Sequence, residues 1–226
     1  MKRTLTMLAA AAAFAAATAI ADSAAVKPRA HENIEWSRSY AYHLTDGNKS
    51  LPRVLLVGDS IVAGYEGEVR KILEGKMNVS YWASSYCVTS PSYMKLLEVQ
   101  LDEAPYAVIH FNNGLHSLGT PTGEWAKAFE TALRLVRRKQ PNARIVWATS
   151  TPLKDASLTA KARELNAAGA KVVAQLGGIE TNDLFALLDP LDRQTNWSDV
   201  YHHRPHVRRM AAEQVARISS GAKQSR

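Results

Sequence analysis

The sequence predicts an α/β domain, a three-layer α/β/α sandwich on a five-stranded parallel sheet. Three observations point there. Short unbroken apolar runs recur along the chain, and such runs suit strands covered on both faces. Stretches with helical periodicity separate them at strand–helix–strand spacing. Turn residues close the runs, as Gly58 does after the first and Asn112-Asn113-Gly114 after the third.

The elements follow in order. Arg53 to Val57 is the first strand, and Ile61 to Leu73 the first helix. Val79 to Ala83 is the second strand. Ser92 to Leu101 is helical, with Met94, Leu97 and Leu101 on one side. Tyr106 to Phe111 is the third strand. Glu124 to Lys139 is the clearest amphipathic helix, because Trp125, Phe129, Ala132, Leu133 and Val136 recur at steps of three and four. Ala143 to Thr149 is the fourth strand. Leu158 to Leu176 is a long helix that Gly177-Gly178 ends, glycine being favoured just past a helix. Ile179 to Asn182 is a short fifth strand, and Pro205 to Ile218 a terminal helix. Right-handed crossovers then leave few arrangements besides a flavodoxin-like one. In such sheets ligands bind beyond the carboxyl ends of the strands.

Three segments divide the 226 residues. Residues 1–21 have the layout of a secretory signal peptide: Lys2 and Arg3, an alanine-rich apolar run from Leu5 to Ile20, then Ala19-Ile20-Ala21 as a small-x-small cleavage site. The run is short for a membrane span. The expected mature chain is secreted or periplasmic, with no stable membrane insertion after cleavage. Residues 22–50 form a polar N-terminal arm in which Trp36, Tyr40 and Tyr42 can pack on the body. Residues 51–220 are the folded domain. Hydrophobic residues at 46% and charged residues at 22% suit an ordinary globular protein. The net charge is +7, of which Lys2 and Arg3 supply two. The remaining cations are dispersed without interleaved stacking aromatics, so no nucleic-acid partner is expected. The one cysteine, Cys87, cannot form an internal disulfide.

Three polar clusters carry possible chemistry. Gly58-Asp59-Ser60 follows a strand and opens a helix, where a backbone N–H and the helix dipole face a developing oxyanion. Asp59 or Ser60 could equally be a plain helix cap. Asn112-Asn113-Gly114 offers side-chain amides to an oxyanion, or simply a turn. Asp199-Val200-Tyr201-His202 sets a carboxylate three residues before an imidazole. A serine hydroxyl needs such a base, and the base needs a partner on its other ring nitrogen. A surface loop with an ion pair is the plainer reading of that segment.

Taken together, Ser60 near the start of the domain and Asp199 with His202 near its end resemble the SGNH/GDSL hydrolases over roughly residues 52–218. The Gly-Asp-Ser block is Gly58-Asp59-Ser60, and the Asp-x-x-His block runs from Asp199 to His202. The resemblance implies a catalytic triad of Ser60, His202 and Asp199, with no metal or organic cofactor. It also implies an oxyanion hole made by Ser60 with donors from the second and third blocks. The second block lacks its usual glycine and reads Ala83-Ser84-Ser85-Tyr86-Cys87, which points to a backbone N–H near Ser85. The third block reads Phe111-Asn112-Asn113-Gly114-Leu115-His116, with Asn112 favoured and Asn113 the alternative. Asn112, Gly114 and His116 are similar to a variant found in relatives that act on acetylated sugars.

The expected activity is therefore serine-dependent hydrolysis of acyl esters, acetyl foremost, on a small-molecule or polysaccharide substrate. A lipid-directed esterase or lysophospholipase, an O-acyltransferase and a non-catalytic binding module are the competing readings. The α/β-hydrolase elbow requires Gly-x-Ser-x-Gly, and Gly58-Asp59-Ser60-Ile61-Val62 lacks the second glycine. His202 and His206 have a spacing that could hold zinc, but no glutamate lies between them, so the metalloprotease pattern is absent.

Overall fold

The computed structural model describes residues 33–42 and 50–221. The signal segment and much of the arm lie outside them. The alternation read from the sequence is realised as β2 (Arg53–Gly58), α1 (Ser60–Ile72), β3 (Asn78–Ser84), α2 (Pro91–Asp102), β4 (Val108–Phe111), α3 (Thr122–Lys139), β5 (Arg144–Ala148), α4 (Ala156–Leu176) and β6 (Ile179–Asn182). Two short helices, α5 (Leu184–Leu188) and α6 (Arg193–Asn196), lead to the terminal α7 (Pro205–Ser219).

The sheet has six strands rather than five. The extra one is β1 (Ser37–Tyr40), which pairs antiparallel with β3 at one edge. Its four residues are all exposed, so no apolar alternation marks it in the sequence. Backbone pairing with β3 holds it, helped by the Trp82 indole N–H, which donates to Ser37 Oγ at 2.8 Å. The spatial order is β1-β3-β2-β4-β5-β6, and the last five strands run parallel. Without β1 this is the flavodoxin-like order.

Period-two alternation divides the core between the two faces. Leu55 and Val57 of β2 point to one side, where Trp82, Phe111, Trp125, Phe129 and Trp147 pack under α2, α3 and α4. Val54 and Leu56 point to the other, against Tyr65 and Val69 of α1 and Ala211 and Val215 of α7. Trp125 and Phe129 stack at 4.7 Å between ring centroids. Among the described residues, no helix is long and apolar enough to cross a membrane.

β2 and β4 are neighbours, yet the chain leaves them toward opposite edges of the sheet, to β3 and to β5. A crevice opens where such connections diverge. The segments entering it are Gly58-Asp59-Ser60 after β2 and Asn112-Asn113 after β4.

Candidate active site

Ser60 is the first residue of α1, and Asp59 is its N-cap, accepting the Ile61 N–H through Oδ1 at 2.9 Å. The early N–H groups of a helix lack intrahelical partners, so Ser60 presents its N–H beside its own hydroxyl. Gly58 is required sterically: a Cβ there would overlap Val62, because α1 folds straight back over the strand end.

The candidate base comes from a loop 142 residues away. Asp199 Oδ1 accepts the backbone N–H groups of Tyr201 and His202, both at 2.8 Å, which closes a tight turn. Its Oδ2 lies 2.8 Å from His202 Nδ1. One carboxylate thus shapes the turn and orients the ring, which is why a spacing of three works. With Nδ1 donating to Asp199, Nε2 is left to accept, and Ser60 Oγ lies 2.9 Å from it. Burial alone would raise the Asp199 pKa, but the hydrogen bonds from the His202 backbone and ring and the Tyr201 N–H outweigh it and hold the carboxyl below its ordinary value. The side chains of His202 and Asp199 remain 39% and 53% exposed, so the pair sits at the rim of the site.

What anchors this loop was not legible in the sequence. Trp197 is fully buried, its indole N–H donates to Pro152 C=O at 3.2 Å, and it pairs across an antiparallel bridge with His203. The two rings meet edge-on at 4.9 Å. Burial pushes the His203 pKa down to about 4, so this neighbour of His202 stays neutral at physiological pH. Lys154 N–H donates to Val200 C=O at 2.9 Å and ties down the tip. A buried tryptophan preceding the acid–base pair was the available signal.

The remaining candidates are not all free to donate. Ser85 carries a structural load: its N–H donates to Trp36 C=O at 3.1 Å, its Oγ accepts the Trp36 N–H at 2.8 Å, and its hydroxyl donates to Glu35 at 2.7 Å. The expectation of an oxyanion donor at Ser85 is therefore corrected, because that N–H is engaged in fastening the arm. Asn112 directs its amide inward, to Ala148 C=O at 2.7 Å and toward Ser150 Oγ at 3.5 Å. Asn113 accepts from Val88 N–H at 3.1 Å and Ser117 Oγ at 3.0 Å, and donates one amide hydrogen to Tyr86 C=O at 3.1 Å. Its amide also faces the buried Tyr93 hydroxyl, a contact that works against the rise burial gives that phenol's pKa. The structure brings Ser60, His202 and Asp199 into one line; it ties Ser85 to the arm and Asn112 to β5.

The cleft beside Ser60 and His202 holds about 270 Å3 and is lined by Trp36, Leu115, His116 and Tyr201. His116 meets Trp36 edge-on at 6.2 Å. His206 does not join His202 toward a common centre, since its Nε2 lies 2.8 Å from Asn196 Oδ1. Among the described residues, no three metal-ligating side chains converge.

No protein family and no curated protein matches this chain by sequence. Solved structures do match. A member of the lipolytic protein G-D-S-L family from Veillonella parvula superposes with a TM-score of 0.61 at 18% identity, over 74% of this chain and 97% of that one. A carbohydrate esterase family 3 structure from Talaromyces cellulolyticus gives 0.60 at 12% identity, over 76% and 100%. A family two carbohydrate esterase from Clostridium thermocellum, in complex with cellohexaose, gives 0.57 at 14% identity, over 75% and 64%. This chain therefore spans less than two thirds of that last protein. The fold is that of the SGNH/GDSL hydrolases.

Proposed function

We propose that the chain is an exported serine esterase that removes acyl groups, acetyl foremost, from carbohydrate. The carrying observation is the hydrogen-bonded line from Ser60 Oγ through His202 to Asp199 at a helix N-terminus. In the proposed reaction His202 Nε2 takes the Ser60 proton as Oγ attacks the ester carbonyl. Asp199 steadies the imidazolium that forms. The Ser60 N–H receives the developing oxyanion, and the side-chain donor assigned to it is the Asn112 amide, which borders Asp59 and Ile61 at the helix start and holds Ser150 only loosely, at 3.5 Å. His202 then protonates the departing alcohol, and water repeats the sequence to release the acid and free Ser60.

Two features support carbohydrate over lipid: a cleft walled by the rings of Trp36, His116 and Tyr201, and carbohydrate esterases among the structures that share the fold. Export rests on the layout of residues 1–21. The test is hydrolysis of 4-nitrophenyl acetate, butyrate and octanoate by wild type and Ser60→Ala. The Ser60→Ala rate is expected to fall roughly 10⁴-fold or more, with acetate turned over fastest by wild type. Equal rates in the two proteins would remove Ser60 as nucleophile, and faster turnover of octanoate would turn the reading toward lipid.

A further inference from the structure

On the other side of the Ser60–His202 pair lies a second cleft, of about 390 Å3, with Trp36, Arg38, Gly64, His203 and Arg208 on its walls. Its charge is one-sided. Arg208 comes from α7, and its Nε donates to His203 C=O at 2.8 Å, which steadies the guanidinium and leaves its terminal N–H groups to face a ligand. Arg38 comes from β1 and lies over the Trp36 ring, 5.5 Å from its centroid. Six of the thirteen described arginines, Arg70, Arg134, Arg144, Arg163, Arg193 and Arg209, each hold a carboxylate within 3.2 Å. Among the described residues, neither Arg38 nor Arg208 has one. The nearby acids are engaged elsewhere, Glu66 by Arg70, Glu68 by Lys71 and Glu35 by Ser85 on the far side of the pair.

Two unpaired guanidinium groups, drawn from opposite ends of the fold, thus converge on one cleft within reach of the candidate nucleophile. Guanidinium presents a planar fork that matches an oxyanion of like geometry, and the indole beside it offers an apolar wall to a sugar ring. We infer that this cleft takes the carboxylate of an acidic saccharide, so that the substrate is an acyl ester on uronate-bearing carbohydrate. The inference rests on the serine esterase reading for its chemistry, but its anion site stands on the arginines alone. Acylation proceeds through Ser60 as described, and the carboxylate only fixes the sugar so that the ester faces Oγ.

The first experiment measures binding without turnover. Ser60→Ala is titrated calorimetrically with a deacylated galacturonate oligosaccharide, a neutral xylo-oligosaccharide and a phosphorylated oligosaccharide. The uronate is expected to bind best, and to weaken roughly tenfold or more when Arg38→Gln and Arg208→Gln are added or when salt is raised to about 0.5 M. The corresponding lysine pair should keep part of the affinity. No uronate binding, equal binding by the double glutamine variant, or tighter binding of the phosphorylated oligosaccharide would overturn the inference. The second experiment compares kcat/KM on acetylated galacturonan and acetylated xylan fragments, where the acidic-to-neutral ratio should fall roughly tenfold in the double variant. Uronate binding through both arginines with no ester turned over would sink the esterase reading and leave the anion site. Turnover with no acidic preference would do the reverse.

Discussion

Replacing His110 with glutamine should flatten the acid limb of the stability curve. His110 lies in β4, fully buried between the sheet and α7, and its Nε2 is 2.9 Å from Asn182 Nδ2. Asn182 Oδ1 accepts from Gln214 Nε2 at 2.7 Å, so Asn182 presents an N–H to the ring and Nε2 must accept it. The imidazole is therefore held neutral, and burial pushes its pKa down to about 4. The unfolded chain binds this proton below its ordinary value of about 6.5, while the folded chain resists it until about pH 4. Stability is thus fully present above 6.5 and drains away as pH falls toward 4. The slope reaches at most ~1.4 kcal/mol per pH unit, and from pH 7 to pH 4.5 the loss from this one residue is about 2 kcal/mol. Glutamine keeps an acceptor for Asn182 but cannot take the proton. Urea unfolding of wild type and His110→Gln at pH 7.0 and 4.5 measures the difference, and the carboxylates common to both proteins cancel. Wild type should lose about 2 kcal/mol more than the variant over that interval. Equal losses would refute the buried neutral histidine.

Other perturbations follow from the same geometry. Asp199→Asn should lower kcat on 4-nitrophenyl acetate by roughly 10²–10³, less than the ~10⁴ seen for a buried triad acid, because this carboxylate is half-exposed; an unchanged kcat would leave Asp199 only its turn-forming role. Asn112→Ala should lower kcat by about 10²–10³ and Asn113→Ala by less, as Asn112 borders the start of the Ser60 helix while the Asn113 amide is shared between Tyr86 and Tyr93; the reverse ranking would move the oxyanion role to Asn113. Gly169→Ala would set a Cβ 2.7 Å from Trp147 and 3.2 Å from Trp125. The clash, about 1–3 kcal/mol, should exceed the helix-propensity gain of about 1 kcal/mol, so the urea midpoint should fall.

Much of this architecture was legible because the chemistry that builds it is local. Unbroken apolar runs such as Arg53–Val57 can hardly be anything but strands covered twice, and the Trp125–Val136 stripe has one helical face. β1 was not legible: the residues of Ser37–Tyr40 all stay exposed, and its place depends on an edge that β3 offers only after folding. The same limit applied to the site. The Gly-Asp-Ser and Asp-x-x-His segments carry their geometry within a turn, so their spacing could be read directly. The donors could not, because Ser85, Asn112 and Asn113 are polar residues whose tasks are set by partners on other elements. Trp36 claims one, Ala148 another and Tyr86 the third.

The half-exposed acid–base pair keeps its precision with little cover from Tyr201, whose ring meets His202 edge-on at 6.5 Å. The order comes from beneath. α1, which carries Ser60, and α7, which follows His202, share one core through Tyr65, Val69, Ala211 and Val215, so both ends of the line are mounted on the same packed layer. The loop between α6 and α7 is then pinned at three depths: the buried Trp197 on Pro152, the Trp197–His203 bridge, and the Lys154 N–H on Val200. Each pin draws on the segment after β5 or on the loop's own base, and none draws on the substrate side. A half-exposed dyad can stay aligned in this way without support from the solvent side.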